Sequence, residues 1–275
     1  MPRVSRLVET RPTGHDRARG LVSSRVSGSR VEAHTYAPSD DLAGAVATFW
    51  MGRWDLRGQS PHVTELLGDP CVHIVFERGA SRLVGVWTRR WVRELSGMGL
   101  VRAAKLRAGA LRAFVPGPAA RFTDRIVPLG EVLTLDASIE QTILDAADGE
   151  AFATLEGLLR SHHTSADPHV SLAVALVDEI GSDSSLATVD ALARRSGLGV
   201  RALQRLFRDY VGASPKWAIR RVRLQELALR LERGEATNLA QVAADLGYTD
   251  QAHLTRDFTS AVGKSPRQFA TAVHR

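Results

Sequence analysis

Four polar side chains between residues 201 and 208 have the types and the spacing to recognise nucleic-acid bases. Arg201, Gln204, Arg205 and Arg208 follow one another at separations that place them on one helical face. A guanidinium can donate two hydrogen bonds to guanine, and a glutamine amide can pair with adenine in the same bidentate way. The spacing therefore predicts a helix that enters the major groove of duplex DNA. A solvent-exposed face of an ordinary amphipathic helix is the alternative.

The opposite face of the same segment is apolar and must be buried. Leu203, Leu206, Phe207 and Tyr210 recur at the spacing of an amphipathic helix. An apolar periodicity over 189–195 and a glycine-containing turn at 196–199 precede this helix, which is predicted over 200–211. Two short helices joined by such a turn are typical of a helix-turn-helix unit, here 189–211.

A second copy of this unit follows about 50 residues later. Leu203–Pro215 aligns with Leu254–Pro266 at an offset of 51, with Leu, Arg, Phe, Val, Gly, Ser and Pro recurring in register. The copy predicts a second helix-turn-helix over 239–262. Its second helix is predicted to face outward with Ala252, Thr255, Arg256 and Thr259, flanked by Gln251 and His253.

One continuous helix is predicted over 215–233, between the two copies. Pro215 suits its first turn, Trp217, Leu224 and Leu231 lie along one side, and Gly234 ends it. A rod of about 27 Å results, which is comparable to the roughly 34 Å of one DNA turn. Two recognition helices held in this way could contact adjacent segments of the major groove.

The charge distribution favours an anionic partner for the same region. Residues 186–275 contain 15 basic and 8 acidic side chains, a net charge of +7 in a chain whose total is +6. Double-stranded DNA is the first candidate partner and a membrane surface the second. Arg208 and Arg220 are predicted to contact backbone phosphates, whereas Arg201, Gln204, Arg205 and Arg256 are the predicted base readers.

The residues of both copies resemble the AraC/XylS family of bacterial transcription regulators. The resemblance rests on Leu203–Phe207, Gly212–Pro215, Ala243–Tyr248, Asp250-Gln251 and Phe258–Pro266, and it extends over about 172–272. It implies a monomeric domain of seven helices whose two recognition helices enter successive major grooves.

The same resemblance implies base contacts at particular positions. In the first helix these are Arg201, Gln204 and Arg205, and in the second they are Gln251, Ala252, Thr255 and Arg256. Ala252 departs from the long polar residue often found there, which implies that the second helix reads few bases. A small-molecule effector, RNA polymerase and a second copy of the chain are partners that such a regulator could contact.

The rest of the chain predicts an α+β multidomain protein whose parts differ in composition and apolar periodicity. Residues 1–33 are predicted to be a disordered basic tail, and 136–182 a helical connector to the DNA-binding domain at 183–275. Between them, 34–135 hold short apolar runs separated by Gly, Pro and Asp, typical of a small cupin-like β-barrel or sandwich that senses an effector or dimerises. Its runs at Glu65–Phe76 and Phe122–Leu129 resemble a domain of uncharacterised role that is often joined to such modules.

Other functions have weaker support in the sequence. There is no phosphate-binding loop, nucleophile elbow or cysteine pair, so we predict no catalysis, no cofactor and no metal. His62, Glu65, Cys71 and His73 leave open a metal-dependent cupin-like enzyme or sensor fused to the DNA-binding module, and Cys71 a redox role. A protein-interaction role for the helix-turn-helix copies is the third alternative. Without an apolar run of membrane-spanning length or a secretory leader, a cytoplasmic protein is predicted.

Overall fold

A computed structural model describes residues 9–10, 21–23, 31–164, 167–236 and 238–274, with the backbone alone for 9–10, 21–23 and 64–66. Its strands are β1 (Glu9–Thr10), β2 (Leu21–Ser23), β3 (Val31–Tyr36), β4 (Val46–Leu56), β5 (His62–Leu67), β6 (His73–Glu77), β7 (Arg82–Val84), β8 (Arg90–Leu95), β9 (Gly97–Leu106) and β10 (Ile126–Pro128). They form two antiparallel sheets, of order β1-β3-β4-β9-β6-β7-β10 and β2-β5-β8.

Both faces of the larger sheet are covered, and β4 shows how the sequence achieves this. Phe49 and Met51 belong to the apolar cluster beneath the helices, whereas Trp54 and Leu56 belong to the cluster that includes Leu95 of the smaller sheet. Successive residues of a strand point to opposite faces, so large apolar residues at both odd and even positions suit a strand that is covered on both sides. The N-terminal domain is therefore a sandwich of two sheets with helices on its outer side.

Charged residues join the two sheets as well. Glu77 of β6 accepts from Nη2 of Arg82 at 2.7 Å and from Nη2 of Arg93, which lies in β8 of the other sheet, at 2.5 Å. The guanidinium of Arg93 also lies 5.6 Å from the ring centroid of Trp54. The predicted β-rich N-terminal domain and helical C-terminal domain are confirmed, and of barrel and sandwich the strand pairing supports the sandwich.

Residues 1–33 contribute strands, which the prediction of a disordered basic tail did not anticipate. β1 pairs with β3, β2 pairs with β5, and β3 begins at Val31. Backbone pairing with a strand edge explains the difference, because it needs no apolar periodicity in the added segment. The remaining residues of this stretch lie outside the described part of the chain.

Helices make up most of the chain after residue 136. They are α1 (Ala137–Asp145), α2 (Asp148–His162), α3 (Pro168–Ser182), α4 (Val189–Ser196), α5 (Val200–Leu206), α6 (Pro215–Glu232), α7 (Leu239–Asp245), α8 (Gln251–Val262) and α9 (Pro266–His274). α5 continues into a π-helical turn over Phe207–Val211. Within the described residues, no helix combines the length and apolar character that crossing a bilayer requires.

A buried arginine fixes α1 and α2 on the larger sheet. Arg102 of β9 is 2% exposed, and its guanidinium donates to the carbonyls of Ile143 and Ala146 at 2.6 and 2.9 Å and to Asp148 at 2.5 Å. A buried charge is tolerated when it is paired and hydrogen-bonded. Arg102 therefore satisfies carbonyls at the end of α1 and joins that end to the sheet.

The two helix-turn-helix units belong to different clusters of the apolar interior. One cluster runs from Phe49 of β4 through Phe152 of α2 to Phe207 behind α5. The second helix-turn-helix has a separate cluster around Leu254 and Phe258, to which the sheet domain contributes a residue of β5, Leu67. The first unit thus shares the interior of the sheet domain, whereas the second has largely its own.

Candidate nucleic-acid interface

The first helix-turn-helix consists of α4 and α5, and its ends are set by local signals. The Thr188 hydroxyl accepts from the Ala191 amide at 3.1 Å and caps α4. α4 ends at Gly197, whose φ of 68° lies in the left-handed region that glycine adopts without strain. α5 then begins at Val200, and Leu203 and Leu206 are buried on its inner face.

The recognition helix of this first unit, α5, ends in a π-helical turn, which is wider than an α-helical one. The amide of Gly212 donates to the carbonyl of Phe207 at 2.8 Å, five residues back. Gly212 has a φ of 84°, and its backbone lies against the turn at Ala119–Phe122. Such π-helical turns are rare and occur most often at functional sites. Sequence periodicity predicted one regular helix here and missed the widened turn.

α7 and α8 form the second helix-turn-helix with different caps. The Asn238 side chain accepts from the amides of Ala240 and Gln241, and the Asp250 carboxylate accepts from the His253 amide at 2.7 Å. Between the helices Gly247 has a φ of 71°. Leu254, Phe258 and Val262 are fully buried on the inner face of α8.

The predicted base readers lie on the outer faces of α5 and α8. Arg201, Gln204 and Arg205 are exposed side by side on α5, and Gln251, Ala252 and Arg256 are exposed on α8, whereas Thr255 is half-buried. No hydrogen bond or ion pair within the described residues engages the guanidinium groups of Arg201, Arg205 and Arg256. These donors are therefore available to an external acceptor.

The two arginines predicted to contact phosphates have partners within the chain. Nε of Arg208 donates to the neighbouring Asp209 at 2.8 Å. Arg220 of α6 forms a two-point ion pair with Asp257 of α8, with N–O distances of 2.8 and 2.9 Å. Both arginines are substantially exposed, and Arg220 in addition holds the linker helix against the second recognition helix.

The linker helix carries two buried arginines that its apolar periodicity did not reveal. Arg221 and Arg223 of α6 are each 4% exposed. Arg221 donates to the carbonyl of Thr88 in the turn between β7 and β8 at 2.8 Å, and Arg223 donates to the carbonyl of Ser184 at 2.9 Å. A linker surrounded by solvent would expose them, so α6 is packed between the sheet domain and the recognition units.

Polar contacts join the back of the first unit to the sheet domain. The Thr123 hydroxyl donates to the carbonyl of Gly212. The Tyr210 hydroxyl donates to Asp167 at 2.7 Å, and the guanidinium of Arg112 lies 4.4 Å from the Tyr210 ring centroid. Burial, reinforced by the bond to Asp167, raises the pKa of Tyr210 to about 12. The segment that follows α5 is thus packed against the rest of the molecule on the side opposite the exposed face of α5.

The residues that raised a metal hypothesis are distributed over both sheets. His62 lies in β5 of the smaller sheet and His73 in β6 of the larger one, and the side chain of Glu65 lies outside the described part. Trp50 donates from Nε1 to Nδ1 of His73 at 3.2 Å. Among the described residues no three His, Cys, Asp or Glu side chains form a group that could hold a metal.

Instead of a metal group, His73 belongs to a half-buried polar cluster. Nε2 of His73 lies 4.0 Å from Oδ1 of Asp69, which also pairs with Lys105. Burial lowers the pKa of His73 to about 4, against the opposing effect of Asp69. Burial would raise the pKa of Asp69, but Lys105 and His73 hold it below its ordinary value. The neutral His73 ring thus lies beside the Asp69–Lys105 ion pair on the larger sheet.

Comparison with known proteins agrees with this division of the chain. Residues 192–272 match the family described as a helix-turn-helix domain, and residues 34–128 match a domain of unknown function, DUF6597. The F1 operon positive regulatory protein of Yersinia pestis is 34% identical over 87 residues, which cover 32% of this chain and 29% of that protein. The probable transcription factor PqrA of Proteus vulgaris is 32% identical over 81 residues, which cover 30% of this chain and 66% of that protein.

Two solved structures are similar at lower identity. The C-terminal domain of AraT, a response regulator from Geobacillus stearothermophilus, is 21% identical with a TM-score of 0.35 and covers 39% of this chain and 88% of that one. A ToxT structure from Vibrio cholerae is 11% identical with a TM-score of 0.43 and covers 82% of this chain and 97% of that one.

The sequence matches define the class of the C-terminal region. Residues 192–272 are an AraC-type helix-turn-helix domain, and the chain joins it to a DUF6597 domain at 34–128. The match spans less than two thirds of the length of either curated relative. The family resemblance noted in the sequence is thereby confirmed for this domain.

Proposed function

We propose that this protein is a sequence-specific DNA-binding transcription regulator. One observation carries the proposal: a single chain presents two helix-turn-helix units, each with an exposed polar face on its second helix. Proteins of this kind place that helix in the major groove, where base edges can be distinguished. The proposed partner is double-stranded DNA, and the proposed activity is binding.

The two units would not contribute equally to specificity. α5 offers Arg201, Gln204 and Arg205, which are suited to guanine and adenine. α8 offers Arg256 and Gln251 beside Ala252, whose methyl group can contact only an apolar base edge such as that of thymine. In this proposal the first unit supplies most of the sequence discrimination, and the second extends the site into the next groove segment.

The N-terminal domain is proposed to modulate DNA binding. It is joined to the first unit by the contact of Thr123 with Gly212 and by the guanidinium of Arg112, which lies over the Tyr210 ring. A ligand that binds one arrangement of these contacts more tightly than another would shift DNA affinity by linkage. A small-molecule effector is therefore the second proposed partner.

The test is selection of bound sequences from a random duplex pool by the full chain. The winning duplex is then titrated against a scrambled duplex at two salt concentrations. We expect a motif that spans two successive groove segments. Each salt-dependent phosphate contact would steepen the fall of log K with log salt by roughly 0.9.

A matched variant separates sequence recognition from general charge. Arg201→Ala removes a proposed base contact, whereas Arg194→Ala removes an exposed arginine of α4 that lies outside the proposed face. Loss of the selected motif with the first change and its retention with the second would support the proposal. Enrichment of no sequence by the unmodified chain, with and without cell extract metabolites, would contradict it.

A further inference from the structure

Two neighbouring turns of the sheet domain contact equivalent points of the two recognition units. In the turn just before β10, the Thr123 hydroxyl donates to the carbonyl of Gly212, which follows the first recognition segment. At the start of β8, Nη1 of Arg90 would lie 2.6 Å from a Cβ added to Gly263, which ends α8. Gly212 and Gly263 are 51 residues apart, which is the offset of the repeat. The sheet domain therefore spans the distance between the C-terminal ends of the two recognition segments.

Hydrogen bonds join these two turns, residues 85–90 and 119–125, into one unit, which we call the double turn. The amide of Asp124 donates to the carbonyl of Val86 at 2.9 Å. The amide and the hydroxyl of Thr88 donate to the two carboxylate oxygens of Asp124 at 2.7 and 2.6 Å. Asp124 is the only acidic residue of the double turn. Its carboxylate is thus engaged by the double turn itself.

The surface of the double turn carries three exposed arginines, Arg89, Arg121 and Arg125. The guanidinium of Arg89 approaches Asp124 only to 3.8 Å. Nη1 of Arg125 donates to the carbonyl of Arg121 at 3.2 Å, and within the described part of the chain neither of these two arginines has a carboxylate partner. Exposed arginines are ordinarily just solvated, so what distinguishes these three is their position between the recognition helices.

We propose that the double turn binds the DNA backbone between the two half-sites, the base segments that α5 and α8 read. This inference rests on the proposed DNA binding and extends the DNA interface to the sheet domain. A recognition helix contacts base edges through its N-terminal residues, so its C-terminal end lies nearer the edge of the groove. Between two successive major-groove segments, that edge is the phosphate backbone of the intervening minor groove. Phosphate oxygens accept paired hydrogen bonds from a guanidinium, which suits Arg89, Arg121 and Arg125.

Contacts of this kind would add affinity without sequence preference. Each phosphate that an arginine neutralises releases a counterion and steepens the fall of log K with log salt by roughly 0.9. The contacts also require the sheet domain to stay against both units, because the double turn is positioned by its contacts at Gly212 and Gly263. A displacement of the sheet domain would therefore weaken binding to every duplex alike and leave the base preferences unchanged.

The test compares two double variants of the full chain by titration at several salt concentrations, on the selected duplex and on a scrambled duplex of the same length. Arg121→Gln/Arg125→Gln removes two of the proposed contacts. Arg57→Gln/Arg78→Gln is the charge-matched control, since both arginines are exposed on turns at the opposite end of the larger sheet. We expect the first variant to lower the salt slope by roughly 2 and the affinity for both duplexes about tenfold or more. The control should leave both quantities nearly unchanged.

A duplex with uncharged methylphosphonate linkages between the half-sites locates the contact. On this duplex the unmodified chain and Arg121→Gln/Arg125→Gln should bind equally, because no phosphate charge remains there for the arginines to contact. Equal salt slopes of the two double variants would overturn the proposal and show that the arginines are only solvated. A difference from the unmodified chain that persists on the uncharged duplex would overturn it as well. Failure of the unmodified chain to bind any duplex would contradict both this inference and the proposed DNA binding, whereas the two preceding outcomes contradict the inference alone.

Discussion

Tyr210 and Asp167 are joined by a 2.7 Å hydrogen bond that connects the back of the first recognition segment to the start of α3. Asp167 also accepts from the backbone amide of His169, through which it caps α3. Arg112 lies over the Tyr210 ring and approaches Asp167 at 3.5 Å. One carboxylate therefore serves a helix end, an arginine and a tyrosine from three separate parts of the chain.

Removing the Tyr210 hydroxyl should weaken this junction but leave its other contacts in place. In Tyr210→Phe the Asp167 carboxylate keeps Arg112 and the His169 amide, so the loss in free energy of unfolding should be about 0.5–1.5 kcal/mol. Urea denaturation measures it. Tyr36→Phe is the matched control, since its hydroxyl lies 3.4 Å from Asp148 and should contribute less. Equal losses in the two variants would argue against a strong bond at Tyr210.

Alanine substitutions at two glycines with left-handed backbones distinguish the cost of backbone strain from the cost of a steric contact between domains. Gly197→Ala meets open space, so only the left-handed backbone is penalised, by about 1–2 kcal/mol. Gly212→Ala carries the same penalty and would also place Cβ 3.2 Å from the carbonyl oxygen of Ala119. We expect Gly212→Ala to be less stable than Gly197→Ala by about 1 kcal/mol or more, measured by thermal and urea unfolding. Equal stabilities of the two variants would show that the turn at Ala119 can move away from the added Cβ at no measurable cost in free energy.

The lowered pKa of the half-buried His73 predicts a defined pH dependence of stability. Its folded pKa of about 4 lies below the ordinary 6.5, so the unfolded chain binds a proton first as the pH falls. The stability that depends on the neutral ring is therefore present above pH 6.5 and is lost toward pH 4. His73→Asn retains an acceptor for Trp50, and its unfolding free energy should vary less across this window, by on the order of 1–3 kcal/mol.

Chemical denaturation between pH 7 and pH 4.5 measures this difference. His34→Asn, on strand β3 of the same sheet, is the control and should keep the steep dependence of the unmodified protein. A slope in His73→Asn as steep as that of the unmodified chain would mean that other groups cause the acid sensitivity.

Arg205 should determine one base pair of the DNA site. Arg205→Ala should reduce discrimination at a single position of the selected motif by about 1–3 kcal/mol and leave the other positions unchanged. Fluorescence anisotropy on duplexes that vary one position at a time measures this. Arg194→Ala, outside the proposed face, should preserve every preference. A uniform loss across all positions in Arg205→Ala would identify Arg205 as a phosphate contact.

Arg220 and Asp257 should affect DNA binding in opposite directions. Arg220→Ala should weaken binding to all sequences alike and lower the salt slope by about 1, as loss of a phosphate contact does. Asp257→Asn removes the competing carboxylate and should strengthen binding to scrambled duplex. Titrations at several salt concentrations compare both with the unmodified chain. A sequence-selective loss in Arg220→Ala would contradict the phosphate assignment.

The helix-turn-helix elements could be predicted from the sequence because their signals are local. Periodic apolar residues define α5 and α8, Thr188 and Asp250 cap helices, and Gly197 ends one. These features involve residues within a few positions of each other, where spacing alone determines geometry. The repeat then places the outward positions by simple alignment.

The contacts between the domains could not be predicted in this way. The Tyr210–Asp167 bond joins residues 43 positions apart, and the Arg221–Thr88 bond joins residues 133 apart. Nothing in the local pattern distinguishes a buried Arg221 from an exposed Arg220, its neighbour. The strands at Glu9–Thr10 and Leu21–Ser23 were missed for the same reason, since they pair through the backbone with distant partners.

The division of the apolar interior into two clusters bears on half-site spacing in the proposed DNA complex. Phe207 lies in the same cluster as Phe49, so a displacement of α5 would disturb packing as far as the sheet. α8 belongs to the other cluster and is joined to the first unit through α6. In the proposed DNA complex, half-sites one base pair closer or further apart would require a movement of α8 rather than of α5. Tolerance of spacer length would then depend on the linker helix and its Arg220–Asp257 pair.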